Sequence, residues 1–163
     1  MQNKRAAGDQ RAFLIPLQLL GLERPVHCLL SQNQINEVLA PRTLYPAPLS
    51  PAYLPGCILF LGALLPVVDL SALFGGPSQG KVRQLVILRT GEKDASGGHL
   101  KLALKCSAPV QTMKLTAKDL QAGLKNEEIP AQLERAELIK NFYTLHGNGI
   151  FLVDFNRIVR GAV

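Results

Sequence analysis

A chain of 163 residues, 47% hydrophobic and 18% charged, excludes a disordered tail or a highly charged coiled coil, and suits one domain or two small half-domains sharing one core. Fourteen Gly and eleven Pro spread along it favour many short elements over a few long helices. Three cysteines, at 28, 57 and 106, stand too far apart for a disulfide framework or a C-x-x-C site, which points to a reducing compartment. Residues 1–11, with Lys4, Arg5 and Arg11, read as a flexible N-terminal tail. The apolar run 13–22 mimics a secretory signal, but Pro16 and Gln18 interrupt it and no A-x-A-like cleavage site follows, so a cytoplasmic location is expected. Residues 13–20 and 26–30 are expected to pair as a hairpin around Glu23-Arg24-Pro25, and 35–39 is short and amphipathic. The proline-rich stretch 45–51 cannot pair as a central strand. Residues 57–61 and 64–68 bracket Gly62-Ala63 as a tight hairpin. The uncharged run 57–68 falls short of the roughly twenty residues of a membrane span, and Gly62 and Pro66 break any helix in it, so no membrane insertion is expected. Further on, 82–89 and 99–106 flank a polar loop, 116–124 reads as a helix, and 127–136 as a connection or a short helix interrupted by Pro130. Residues 138–145 and 150–153 form a last hairpin around Gly147-Asn148-Gly149. The class is mainly β, with barrels.

Charge is uneven along this order. Residues 43–80 carry one charged side chain, Asp69, and must form core, interface or both. Residues 81–118 carry eight basic groups against Glu92 and Asp94, and supply most of the net +6. Such a stretch attracts nucleic acid or an acidic protein face. The alternation in 99–106 points elsewhere: Leu100, Leu102, Leu104 and Cys106 inward, Lys101 and Lys105 outward, where they also block edge pairing. A basic β-barrel that binds nucleic acid therefore stands as an alternative only. It also lacks the surface aromatics that stacking on bases needs, with six Phe, three Tyr and no Trp, most of them in apolar runs.

Chemistry is not signalled. His27-Cys28 sits on an expected strand, one residue in and one out, and neither Cys57 nor His99 is placed to complete a metal site or a nucleophile pair. His146 reads as a polar group flanking a turn. No G-x-x-x-x-G-K-[ST], G-x-S-x-G or H-E-x-x-H occurs. The glycine-rich segment 75–81 reads as a linker between two halves. No enzyme, metal or cofactor is expected.

An internal repeat supports two similar halves. Gly62 leads through an apolar strand to Val68-Asp69, then Leu70 and Leu73; Gly147 leads in the same way to Val153-Asp154, then Phe155 and Ile158. Each Asp is expected to cap a short helix by accepting an orphan backbone amide, worth about 0.5–2 kcal/mol.

The run Ile35-Asn36-Glu37-Val38, the stretch Pro51-Ala52-Tyr53-Leu54-Pro55-Gly56 and the segment Pro66-Val67-Val68-Asp69-Leu70 resemble the CheW-like family of chemotaxis coupling proteins, with its V-x-E-I…P-x-x-x-x-G…R-G…P-V-x-D-L pattern. The stretch from Phe151 to Val159 is similar to that family's closing L-L-D-x-x-x-L-L segment. The resemblance implies two five-stranded SH3-like β-barrels on one core, with short helices, over residues 12–163. It also implies no catalysis: a cytoplasmic adaptor, recruited to membrane receptor arrays, that bridges the cytoplasmic tip of a methyl-accepting chemoreceptor to the regulatory domain of a histidine kinase. One position departs from the pattern. Leu61 stands where the family has the Arg of R-G, so Glu37 lacks its usual guanidinium and is expected to be exposed or to find another base such as Arg42. The partner-binding residues implied are Glu37, Val38, Gly56, Ile58, Phe60, Leu61 and Gly62, on the groove between barrels and an apolar hairpin surface. The departure leaves room for a specialised role such as surface motility, or for the same scaffold with partners outside chemosensing.

Overall fold

Alternation of apolar and polar side chains, punctuated by glycine turns, resolves into strands along most of the chain. The computed structural model describes residues 10–78, 80–116, 118 and 125–161. In order they form β1 (Gln10–Leu17), β2 (Val26–Ser31), β3 (Ile35–Leu39), β4 (Tyr45–Pro46), β5 (Gly56–Phe60), β6 (Ala63–Val68), α1 (Leu70–Leu73), β7 (Gln84–Lys93), β8 (His99–Cys106), β9 (Gln111–Leu115), β10 (Lys125–Glu127), β11 (Ile139–Leu145), β12 (Asn148–Val153) and α2 (Phe155–Val159). Residues 1–9 of the expected tail lie outside the described residues, and Gln10 and Arg11 already belong to β1. The helix expected over 116–124 also falls mostly outside them. Strand β9 was not anticipated, and of the two readings of 127–136 the connection holds: after β10 the chain makes turns and a 3-10 turn over Ala136–Leu138.

The strands build two six-stranded sheets, ordered β10-β11-β12-β2-β1-β9 and β3-β7-β8-β6-β5-β4. Each has five longer strands and one short edge strand, β10 or β4, which is how a five-stranded expectation becomes six. The halves are interleaved rather than sequential. The first sheet joins the N-terminal hairpin to the C-terminal strands through a parallel β12–β2 pair, with Phe151 opposite Cys28. The second takes the middle of the chain and closes on a parallel β6–β8 pair. The glycine-rich segment is therefore not a linker between barrels, since the strands before and after it, β6 and β7, both belong to the second sheet. Gly76 in that segment lies so close to the first sheet's end that a Cβ would stand 2.1 Å from the Gln18 carbonyl oxygen. The Gln18 amide donates to Ser71 Oγ at 3.0 Å beside it.

Three clusters fill the interior. The largest lies between the sheets and joins Ile15, Cys28 and Leu30 to Val86, Leu102 and Leu104, with Phe74, Phe142 and Phe151 in edge-to-face contact at centroid distances of 5.9 and 5.0 Å. A second, with Leu39, Ile58, Phe60, Val67, Ile87 and Ala103, fills the second sheet's own curl. A third, smaller one fills the first sheet's curl around Leu14, Leu145 and Ile150. The second face of β8 is thus also an interior face. Lys101 is half-buried, and the Lys105 side chain is 9% exposed, its Nζ 3.6 Å from Asp69 Oδ2. The outward lysines read from alternation are corrected accordingly: they flank a second core.

The repeated Asp residues occupy equivalent places. Asp69 Oδ1 accepts the Ala72 amide and Asp154 Oδ1 the Arg157 amide, each at 3.2 Å. Only Asp69 is fully buried and also faces a lysine. Removing one member of a buried pair leaves an uncompensated charge, at roughly 3–5 kcal/mol, whereas losing a cap alone costs about 1. Chemical denaturation should therefore show Asp69→Ala destabilising the chain by about 3 kcal/mol and Asp154→Ala by about 1. Equal losses would mean that Lys105 contributes nothing.

His27 on β2 is 7% exposed and its Nδ1 has no hydrogen-bond partner among the described residues. It lies on the strand face that carries Leu29 toward the third cluster. Burial lowers its pKa from the usual 6.5. The unfolded chain therefore takes up a proton that the folded chain resists, so stability present above about pH 6.5 is lost as the pH falls below it. The drop in melting temperature between about pH 7.5 and 5.5 should shrink in His27→Leu. An unchanged drop would place the acid sensitivity elsewhere.

Candidate partner-binding surface

The hairpin β5–β6 turns on Leu61-Gly62, with φ of 48° and 80°, both positive as a two-residue hairpin of matching twist requires. The turn sits one residue before the expected Gly62-Ala63, and Ala63 instead pairs with Phe60. Alternation from this turn decides which side chains are available. Ile58 (0% exposed) and Phe60 (3%) point into the second core, and Gly56 is buried with them. The placement of Ile58, Phe60 and Gly56 on a contact surface is therefore corrected: strand period two sends their neighbours outward instead. Gly56 has a backbone role, because a Cβ there would stand 2.2 Å from the Tyr45 carbonyl oxygen and push β4 away.

The outward residues line up across strands. Leu59 lies opposite Leu64, Cys57 opposite Pro66, and Tyr45 opposite Cys57. Leu61 is 83% exposed, Leu64 65%, Leu59 51% and Tyr45 51%. Contiguous exposed apolar side chains of this kind make the hairpin the candidate interaction surface. Leu64 and Pro66 share their face of β6 with Val68, which is buried between the sheets, so the inter-sheet face continues uncovered onto the hairpin. There it borders an open groove of about 700 Å³, lined among others by Pro66, Arg89, Leu100, Lys101 and Val159. Sequence reasoning missed Tyr45, Leu59 and Leu64; the signal that finds them is alternation counted from the true turn.

On β3, Glu37 is exposed and Val38 is 37% exposed. Glu37 has no ion pair among the described residues, and Arg42 turns elsewhere: its Nη1 donates to the Leu59 carbonyl at 3.2 Å and its guanidinium lies 5.8 Å from the centroid of the Phe60 ring. The basic groups of 81–118 are scattered. Lys105 faces Asp69, while Lys114 lies on β9 in the other sheet.

Among the described residues, no three His, Cys, Asp or Glu side chains gather as a metal site would need. Burial raises the thiols of Cys28 and Cys106, the latter to about 12, so both are poor nucleophiles. No helix among the described residues is long and apolar enough to cross a membrane.

Two interleaved sheets on a shared core, with an uncovered apolar hairpin beside a groove, define a double-barrel β scaffold. The CheW-like domain model matches residues 20–163, and the chain belongs to that family. The scaffolding protein TtCheW from Thermoanaerobacter tengcongensis has a similar structure, with a TM-score of 0.64 and 15% identity over 94% of this chain and 89% of that one. At that identity the likeness is one of fold, and it makes each sheet one SH3-like barrel. No curated protein matches the sequence.

Leu61 combines exposure with a left-handed backbone, which costs a residue bearing a Cβ about 1–2 kcal/mol. That strain belongs to the turn and returns nothing to the core, because the side chain faces solvent. Leu61→Gly should raise unfolding stability by about 0.5–1 kcal/mol while weakening capture of the partner. Gain of stability with unchanged capture would remove Leu61 from the surface.

Proposed function

We propose that this chain is a non-enzymatic adaptor of a chemosensory complex, bridging the cytoplasmic tip of a chemoreceptor to the regulatory domain of a histidine kinase. It would act in the cytoplasm at membrane receptor arrays, and surface motility is a fitting output. The observation that carries the reading is the uncovered apolar hairpin, with Leu59, Leu61 and Leu64 exposed on a CheW-like domain. Its work is positional. Modest interfaces gain strength when receptors and kinases are clustered, because each further contact becomes effectively intramolecular. A shift in packing at either interface then biases the kinase between its states. The substitution of Leu61 for the family Arg makes the hairpin more apolar, which favours a receptor or kinase whose matching surface is less charged than the usual one.

The test is capture from native cell extract at near-physiological salt, with nuclease-treated extract alongside. Recovery of an identified histidine kinase or methyl-accepting receptor, indifferent to nuclease, is the expected result. Recovery of nucleic acid, or of proteins lost on nuclease treatment, would overturn it in favour of a basic nucleic-acid-binding barrel.

A further inference from the structure

We infer that Arg42 is a preorganised anchor for a carboxylate side chain of the partner protein, supplying from the β3–β4 connection the guanidinium that position 61 lacks. This rests on the adaptor reading above.

Arg42 is exposed yet held in place. One amino group donates to the Leu59 carbonyl at 3.2 Å, and the guanidinium stacks over Phe60, itself 3% exposed. A cation within about 6 Å of a ring centroid is attracted to the ring face, so the side chain is oriented from two sides. A guanidinium has five N–H donors, and the Leu59 carbonyl takes one of them. The rest have no acceptor among the described residues. They border an open depression of about 390 Å³ lined by Pro41, Arg42, Thr43, Tyr45 and Leu59. The hydroxyls of Thr43 and Tyr45 are also without partners among the described residues, so the depression carries three kinds of donor.

Among the described residues no carboxylate meets these donors. Between residues 43 and 80 the only acid is Asp69, which is buried, caps α1 and faces Lys105. Glu37 makes no ion pair with Arg42. The depression is bounded instead by Leu59, whose cross-strand partner Leu64 and the turn residue Leu61 are exposed on the same hairpin. An apolar surface that covers them excludes water and raises the strength of any charge pair beside them. The occupant that fits is an Asp or Glu on the partner, flanked by an apolar side chain that sits on the leucines. A planar fork on one carboxylate gives direction as well as attraction, and a lysine reproduces only the attraction.

Wild type, Arg42→Lys, Arg42→Gln and Arg42→Glu are compared by thermal unfolding, by sedimentation, and by titration with the purified histidine kinase regulatory domain or receptor fragment that wild type captures. The expected result is a graded loss in chains that remain folded: about threefold to tenfold for Lys, more for Gln, and thirtyfold or more for Glu, diminishing at high salt. If Arg42→Glu does not fold, Arg42→Gln against Arg42→Lys decides, with a deficit for Gln alone or greater for Gln expected. Binding within twofold of wild type for the folded variants overturns the anchor and leaves the adaptor reading intact. Self-association of wild type that Arg42→Glu abolishes overturns it too, by assigning the carboxylate to a second copy. Failure of wild type to capture any kinase or receptor removes the adaptor reading, and the anchor with it.

Discussion

One sheet serving two cores is the constraint on which the rest of this structure depends. In β7 and β8, Val86, Leu102 and Leu104 pack between the barrels while Ile87 and Ala103 pack inside one of them, and all five are fully buried. Strands buried on both faces have no wet side on which to carry charge. Their basic residues consequently flank the doubly buried stretch, as with Arg89 opposite Lys101, just beyond Leu88 and Leu102. Lys105, closer to the core, is held by Asp69. Because Asp69 also caps α1, a single carboxylate ties that helix to the central strand, and Leu73 and Phe74 follow it into the inter-barrel core.

The repeat shows which features are architecture and which are not. Leu61-Gly62 and His146-Gly147 adopt the same turn, with φ of 48° and 80° in one and 50° and 78° in the other. Each is followed by an inward strand, an Asp and a short helix. The turn therefore needs a glycine at its second position and tolerates very different residues at its first. A histidine serves in one barrel, so the leucine in the other is not a demand of the hairpin. Its exposure of 83% shows that it is not a demand of the core either.

Most strands were legible because their local signals agree: β2, β3, β5, β6, β8 and β12 fall close to where alternation and turn residues put them. What escaped depended on pairings distant in sequence. The parallel β12–β2 and β6–β8 contacts interleave the barrels, and no local pattern announces them. The turn at Leu61-Gly62 shows how a small error spreads. A leucine with positive φ is unfavourable in isolation, so residue types alone favour Gly62-Ala63 over the turn the chain makes. The family pattern then drew Ile58 and Phe60 onto the surface, although they share the inward face with Gly56 while Leu59 faces out. The capping carboxylates, by contrast, were readable from spacing alone, because a cap is a local interaction; the lysine opposite Asp69 was not.

The geometry of the hairpin also decides how a partner can approach it. The open edge beside it is β4, only two residues long and ending in Pro46, which cannot donate to an added strand. Pairing edge to edge, the route to indiscriminate association, is thereby blunted. Tyr45, Leu59, Leu61 and Leu64 remain accessible from the face, and Arg42 stands beside them with its backbone bond already made. Recognition from the face is governed by side chains rather than by the shared chemistry of the backbone. Two members of one fold can therefore keep the same hairpin and select different partners by changing one or two residues on it. The exchange of a family arginine for Leu61, with Arg42 supplying a cation from the preceding connection, is a change of that kind: the charge moves, the apolar area grows, and the turn that presents both is retained.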